Sequence, residues 1–143
     1  MNQYTKSMMA ALLCAAASWA NADIAVVVNP AYAASSASAE DLSKLFLSKA
    51  DSVTGGGHLT PVDQPENAPA RTVFYDKVCS KNPEQLNSYW SRLIFTGQGQ
   101  PPKIIEGGDA AVVDYVSKTA DAVGYVSATA VNAKVKVIAT FPE

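Results

Sequence analysis

The sequence has few of the residues that enzymes and metalloproteins most often use for their chemistry. Its 143 residues include one histidine and two cysteines, so His58 has no second histidine or cysteine at metal-ligand spacing. Neither a Gly-x-Ser-x-Gly motif nor a phosphate-binding loop ending in Gly-Lys-Ser/Thr occurs. The carboxylates are scattered and form no recognisable catalytic pair. We therefore expect a protein that is not an enzyme and needs no metal or cofactor.

Positive charge and long apolar runs are also scarce. Eleven Lys and Arg stand against 13 Asp and Glu, a formal net charge of −2, which argues against binding to nucleic acid or to an anionic membrane. The apolar run 8–20 follows Lys6 and ends in Ala-Asn-Ala at 20–22, the pattern of a signal-peptidase site. It is too short for a membrane-spanning helix. We expect residues 1–22 to be a signal peptide cleaved after Ala22 and residues 23–143 to form one exported domain.

The cysteine, aromatic and histidine residues that could suggest a site each have a structural explanation. Cleavage would leave Cys79 as the single cysteine, which excludes an internal disulfide. Cys79 ends the apolar stretch 73–79, so we expect a core residue. Tyr89 and Trp90 recur at helical spacing with other apolar residues and are expected in the core as well. His58, which follows three glycines, is expected at the surface.

Apolar patterning alternates between the periods of strands and helices. Strands are predicted at 24–28, 58–63, 103–106, 122–126 and 135–139. Four helices are predicted, beginning after Ser38, near Ala68 or Pro69, after Asn82 and at Asp109. The strand at 58–63 contains a proline, so we expect it near a sheet edge or a bulge. This order predicts an α/β domain, a mixed sheet flanked by helices.

The stretch 62–74, VDQPENAPARTVF, is expected to lead from a strand into a helix. Ligands in α/β folds bind beyond the carboxyl ends of strands, and a helix N-terminus favours an anion. The predicted ligand-binding residues are three from this stretch, a backbone N–H near its helix start and three from the loop after the first strand: Gln64, Arg71, Thr72, Ala70, Asn29, Ser35 and Ser36.

Arg71 leaves two alternatives open. It lies in the first turn of a helix, where the helix dipole disfavours a cation. It is therefore expected either to pair with Glu66 or Asp63, or to be available to a ligand.

Four segments in a fixed order resemble a known family. They are DLSKLFLSK at 41–49, LTPVDQPENAPARTVFYDKV at 59–78, YWSRLIFTGQGQPPK at 89–103 and VVDYVSKTADAVGYVSA at 112–128. Together they resemble one lobe of the periplasmic phosphate-binding proteins of ABC transporters, over roughly residues 25–138. The resemblance implies a class II periplasmic binding fold, a periplasmic location, and binding of phosphate or a related oxyanion for uptake by a membrane transporter.

The resemblance also assigns the loop before the second helix. In the larger relatives this loop holds an arginine, an acidic residue and a Ser-Gly-Thr that donate to phosphate. Counting back from Phe74, Gln64 falls at the arginine, Glu66 at the acid, and 68–70 at Ser-Gly-Thr. This chain has Ala-Pro-Ala at 68–70, so both hydroxyl donors are lost and the proline removes a backbone N–H as well. Each lost donor is worth about 1.5–3 kcal/mol to a charged ligand, so the affinity for phosphate would fall on the order of a thousandfold.

The same losses motivate an alternative function. The chain would be a non-transport module that has lost tight phosphate binding and uses the strand-end surface to bind an envelope protein.

Overall fold

The computed structural model describes residues 23–142, and the predicted signal peptide lies outside them. These residues form a five-stranded sheet and four α-helices. In chain order the elements are β1 (Ile24–Val28), α1 (Ala39–Phe46), β2 (Thr60–Asp63), α2 (Pro69–Cys79), α3 (Pro83–Thr96), β3 (Lys103–Ile104), α4 (Asp109–Lys118), β4 (Ala122–Ser127) and β5 (Lys136–Phe141). The predicted α/β class and mixed sheet are confirmed.

The direction of the strands decides where the site can lie. The strand order is β3-β2-β4-β1-β5. β2 runs parallel to both β3 and β4, whereas β1 runs antiparallel to both β4 and β5. The carboxyl ends of β2, β3 and β4 therefore meet at one end of the sheet, and β1 ends at the other. The strand at 58–63 was expected near a sheet edge or a bulge, and β2 lies next to the two-residue edge strand β3.

Helices cover the two faces of the sheet unequally. Alternate residues of β1 point to opposite faces: Val26 packs in the cluster with α1, α2 and α3, and Val27 in the cluster with α4. All five residues of β1 are buried as a result, which explains its unbroken run of apolar side chains. None of the helices within residues 23–142 is long and apolar enough to cross a membrane.

The helix starts follow the local sequence signals. The Ser38 side chain accepts from the Asp41 N–H at the start of α1, and Asn82 with Gln85 forms a complete capping box at α3. At α2 the capping residue is Ala68, which offers no side-chain acceptor. The first turn of α2 therefore keeps donors that a capping side chain would otherwise satisfy.

The core predictions are confirmed. Cys79, Tyr89 and Trp90 are all buried, and His58 is exposed. Burial raises the pKa of the Cys79 thiol from 9.0 to about 11, so the thiol stays protonated and poorly nucleophilic at neutral pH.

Candidate functional site

A cleft of about 480 Å³ opens at the end of the sheet where the parallel strands finish. The segment after β2 leads into α2 on one side, and the Gly107–Gly108 turn after β3 leads into α4 on the other. Both glycines have positive φ, a backbone conformation that glycine adopts readily. The lining residues come from these two connections and from the end of β4: Gln64, Pro65, Asn67, Ala68, Pro69, Ala70, Gly107, Gly108, Asp109 and Ser127.

Two helix N-termini thus face the same cleft. The backbone N–H groups of Ala70, Asp109 and Ala110 have no hydrogen-bond acceptor among residues 23–142. Free N–H groups at helix starts carry the positive end of the helix dipole. The two helix starts therefore supply the cleft with hydrogen-bond donors and partial positive charge.

The Asp109 carboxylate faces these donors. Its Oδ1 accepts from Gln64 Nε2 at 2.9 Å, and its Oδ2 accepts from the Ser127 N–H at 3.3 Å. Gln64 Nε2 also donates to the Tyr125 carbonyl at 2.8 Å, so the buried amide is fixed in orientation. The cleft combines donors with one carboxylate acceptor, and it suits a ligand that carries both acceptors and a proton to donate.

Behind the cleft lies a buried carboxylate with several donors. Asp63, 2% exposed, accepts from the Tyr75 hydroxyl at 2.9 Å, from the Gln64 N–H at 2.8 Å and from the Tyr125 hydroxyl. Burial, and secondarily the nearby Asp63 charge, raises the pKa of both tyrosines above 10. Both hydroxyls therefore remain donors at neutral pH, and the cluster fixes the end of β2, from which Gln64 enters the cleft.

Arg71 belongs to this cluster and not to the cleft. Its Nε lies 3.3 Å from Asp63 Oδ1, and its guanidinium lies 5.5 Å from the centre of the Tyr75 ring. It lines a separate small cavity with Thr72 and Glu66. Arg71 was expected either to pair with a nearby acidic residue or to be available to a ligand. The structure shows an ion pair, and its partner is Asp63 and not Glu66.

The structure brings together only part of the predicted site. Gln64 and Ala70 line the cleft, whereas Thr72 lies on the outer side of α2 with Arg71. Asn29 lies at the other end of the sheet, where its Nδ2 donates to the Val116 and Ser117 carbonyls.

Ser35 and Ser36 are exposed on the loop after β1. This loop was expected beyond the end of a strand, facing the loop after β2. Because β1 is antiparallel to β4, it ends away from the cleft, and none of Asn29, Ser35 and Ser36 lines the cleft.

Sequence reasoning missed three residues that shape the site. Asp109 was identified as a helix start without a role in the site, and Tyr75 and Tyr125 were not singled out. The glycine pair before Asp109, after a short strand, was the available signal for a second ligand loop. No such signal existed for Tyr125, which lies 62 positions from Asp63. Within residues 23–142, no group of three or more His, Cys, Asp or Glu side chains could hold a metal ion.

Comparison with solved structures finds substrate-binding proteins of phosphate transporters. An ABC-type phosphate transport receptor from Vibrio cholerae gives a TM-score of 0.66 at 18% identity, over 83% of this chain and 46% of that chain. PstS from Borrelia burgdorferi gives 0.64 at 12% identity, over 84% and 47%. A Clostridium perfringens protein, described as a phosphate ABC transporter substrate-binding protein and solved with bound phosphate, gives 0.65 at 19% identity, over 83% and 45%.

These matches establish the fold. The chain spans less than half the length of each of the three structures and is folded as one lobe of a phosphate-transporter substrate-binding protein. The predicted resemblance is confirmed at this level. No protein-family model and no curated protein matches the sequence.

Proposed function

We propose that this protein is an exported, non-enzymatic solute-binding lobe that holds phosphate or a related small oxyanion in the cleft, for uptake by an ABC-type transporter. The observation that carries the proposal is the meeting of two helix N-termini, α2 and α4, at one cleft beyond parallel strands. Such termini bind anions through free N–H groups. The Clostridium perfringens relative, solved with bound phosphate, supports the same chemistry.

Asp109 sets the kind of oxyanion. A carboxylate in the cleft repels a fully ionised anion but accepts a hydrogen bond from one that carries a hydroxyl. Hydrogen phosphate offers oxygens to the N–H groups and a proton to Asp109, whereas sulfate has no proton to donate at neutral pH. The proposal therefore implies that phosphate binds better than sulfate.

The expected affinity is low. Arg71 is held by Asp63, and no Lys or Arg lines the cleft, so an ion pair with the ligand is missing. Residues 23–142 supply one lobe, which by itself leaves the ligand open to water on the far side. We expect a dissociation constant of about 1 mM, which corresponds to about −4 kcal/mol.

The experiment is titration calorimetry of the purified protein with phosphate, sulfate and acetate, alongside two variants. Asp109→Asn keeps the shape of the side chain but removes its charge, so the preference for phosphate over sulfate should disappear. Thr72→Ala, on the outer side of α2, is the matched control and should bind as the parent does. No heat at millimolar phosphate would overturn the proposal, and so would an unchanged preference in Asp109→Asn.

The alternative, an interaction module that docks a protein at this same surface, has less support in the structure. The core of a protein interface usually contains large apolar anchors. The exposed large apolar residues among those described are Ile94, Phe95 and Ile104, and none of them lines the cleft.

A further inference from the structure

Three cations surround one aromatic ring on the helical face of the protein. Lys49, Lys81 and Arg92 lie 5.9, 5.1 and 5.7 Å from the centre of the Tyr89 ring. Lys49 comes from the turn after α1, Lys81 from the link before α3, and Arg92 from α3 itself. We call Tyr89 and these three residues the basic cluster.

The cations of the basic cluster have no ion-pair partner among residues 23–142. Glu84 lines the same groove of about 340 Å³ but is not within 4 Å of any of them. The three positive charges repel one another, and no ion pair within the described chain offsets this repulsion. The feature is unexpected in a protein of net negative charge.

The ring at the centre of the cluster is fixed. The Tyr89 hydroxyl donates to the Leu47 carbonyl at 2.6 Å, and the ring packs edge-on against Trp90 with centroids 5.1 Å apart. Tyr89 itself is 7% exposed, so it cannot turn out to meet a partner. Cation–π contact with this rigid ring holds the charged groups near one another.

An apolar anchor continues the same face. Ser88, Arg92 and Phe95 follow at spacings of four and three residues on α3, so they lie in one row. Phe95 is 90% exposed, which is rare for a phenylalanine. Arginine with aromatic residues is the usual composition of an interface hot spot.

We propose that the basic cluster and Phe95 form a docking surface for an acidic segment of a partner protein that also carries apolar side chains. Carboxylates would pair with the three cations, and an apolar side chain would pack on Phe95. A membrane surface fits less well, because the apolar face of α3 (Leu86, Tyr89, Trp90 and Leu93) is already buried against the core and is not free to enter lipid. This surface is distinct from the cleft and does not depend on it.

The test is fluorescence anisotropy with a labelled 12-residue peptide that contains six Glu and two Leu. Binding should weaken at least tenfold in the triple variant Lys49→Gln, Lys81→Gln, Arg92→Gln, and should weaken when salt is raised. The matched control, Lys103→Gln, Lys118→Gln, Lys134→Gln, loses the same charge elsewhere and should bind as the parent does. Phe95→Ser should weaken binding several-fold, and its exposure makes a folding defect unexpected.

Several outcomes would overturn the proposal. Equal losses in the two triple variants would show that net charge alone matters. Absence of peptide binding at millimolar protein would overturn it, as would cluster-dependent binding to phosphatidylglycerol vesicles without binding to the peptide. An unchanged affinity of Phe95→Ser for the peptide would show that Phe95 does not contact the partner's apolar side chains.

Discussion

Arg71 forms a buried ion pair with Asp63 and does not line the cleft, so we expect it to act on stability more than on ligand binding. Its side chain is 12% exposed, and that of its partner Asp63 is 2% exposed. Replacing Arg71 by Ala leaves the carboxylate with three neutral donors and no cation. We expect the free energy of unfolding to fall by about 2–3 kcal/mol, less than for a pair with no other partners. Urea denaturation measures this change.

The control for this prediction is Lys77→Ala, which removes an exposed cation from the last turn of the same helix. It should change the free energy of unfolding by less than about 0.5 kcal/mol. Phosphate binding, where measurable, should survive in Arg71→Ala. If Arg71→Ala unfolds at the same urea concentration as the parent but no longer binds phosphate, Arg71 belongs to the ligand site.

Single residues also show the limit of reasoning from sequence. The exposure of His58 and the burial of Cys79 follow from their neighbours in the chain. The partner of Arg71 was one of two acidic residues nearby in sequence, and pattern alone did not choose between them. The choice depends on Tyr75 and Tyr125, which donate to Asp63 from another helix turn and another strand.

At the scale of elements, a change at the start of α2 should affect both the stability of the protein and ligand binding. Ala68 caps this helix without a side-chain acceptor, and it also lines the cleft. In Ala68→Asp the new carboxylate would accept from the first turn and interact favourably with the dipole, which should raise the free energy of unfolding by about 0.5–1 kcal/mol. The same charge should weaken phosphate binding at least tenfold. Thermal unfolding and calorimetry measure the two effects.

Ala68→Ser is the matched control, because it adds a capping oxygen without a charge. It should stabilise the protein by a similar amount and leave much of the phosphate binding intact. If Ala68→Asp binds phosphate as well as the parent does, the ligand does not lie at the start of α2.

Local sequence signals predicted the helices and strands well. The misplacement of Asn29 arose from the direction of one strand, β1. The caps at Ser38 and Asn82 depend on residues within three positions, so sequence reveals them. Whether β1 runs with or against β4 depends on pairing between residues about 100 positions apart. Five apolar residues in a row specify burial on both faces but not direction. Asn29 was therefore assigned to the wrong end of the sheet.

At the scale of the whole molecule, the cleft and the basic cluster are two separate surfaces that suit different kinds of ligand. The cleft lies where parallel strands end, between α2 and α4, whereas the basic cluster lies on α3 and on the segments after α1 and before α3. The structural relatives are more than twice as long as the matched region. A single lobe that binds an oxyanion weakly and a partner protein through a separate surface is consistent with both observations, and each surface can be tested without altering the other.

Burial of several weak acids predicts how stability of the whole domain depends on alkaline pH. Tyr75 and Tyr125 have pKa values raised above their ordinary 10.0, and the Cys79 thiol has a pKa raised from 9.0 to about 11. The folded state therefore binds more protons than the unfolded state once pH exceeds about 9, and the free energy of unfolding must fall as pH rises. Each group contributes up to about 1.4 kcal/mol per pH unit between its unfolded and folded pKa.

Urea denaturation between pH 7 and 11 measures this loss. These groups should add no slope below pH 8, and the decline should steepen above pH 10 as both tyrosines contribute. In Tyr125→Phe the slope above pH 10 should decrease by about one proton. A free energy of unfolding that stays constant to pH 11 would contradict the assignment, because the buried tyrosines would then gain no protection from ionisation on folding.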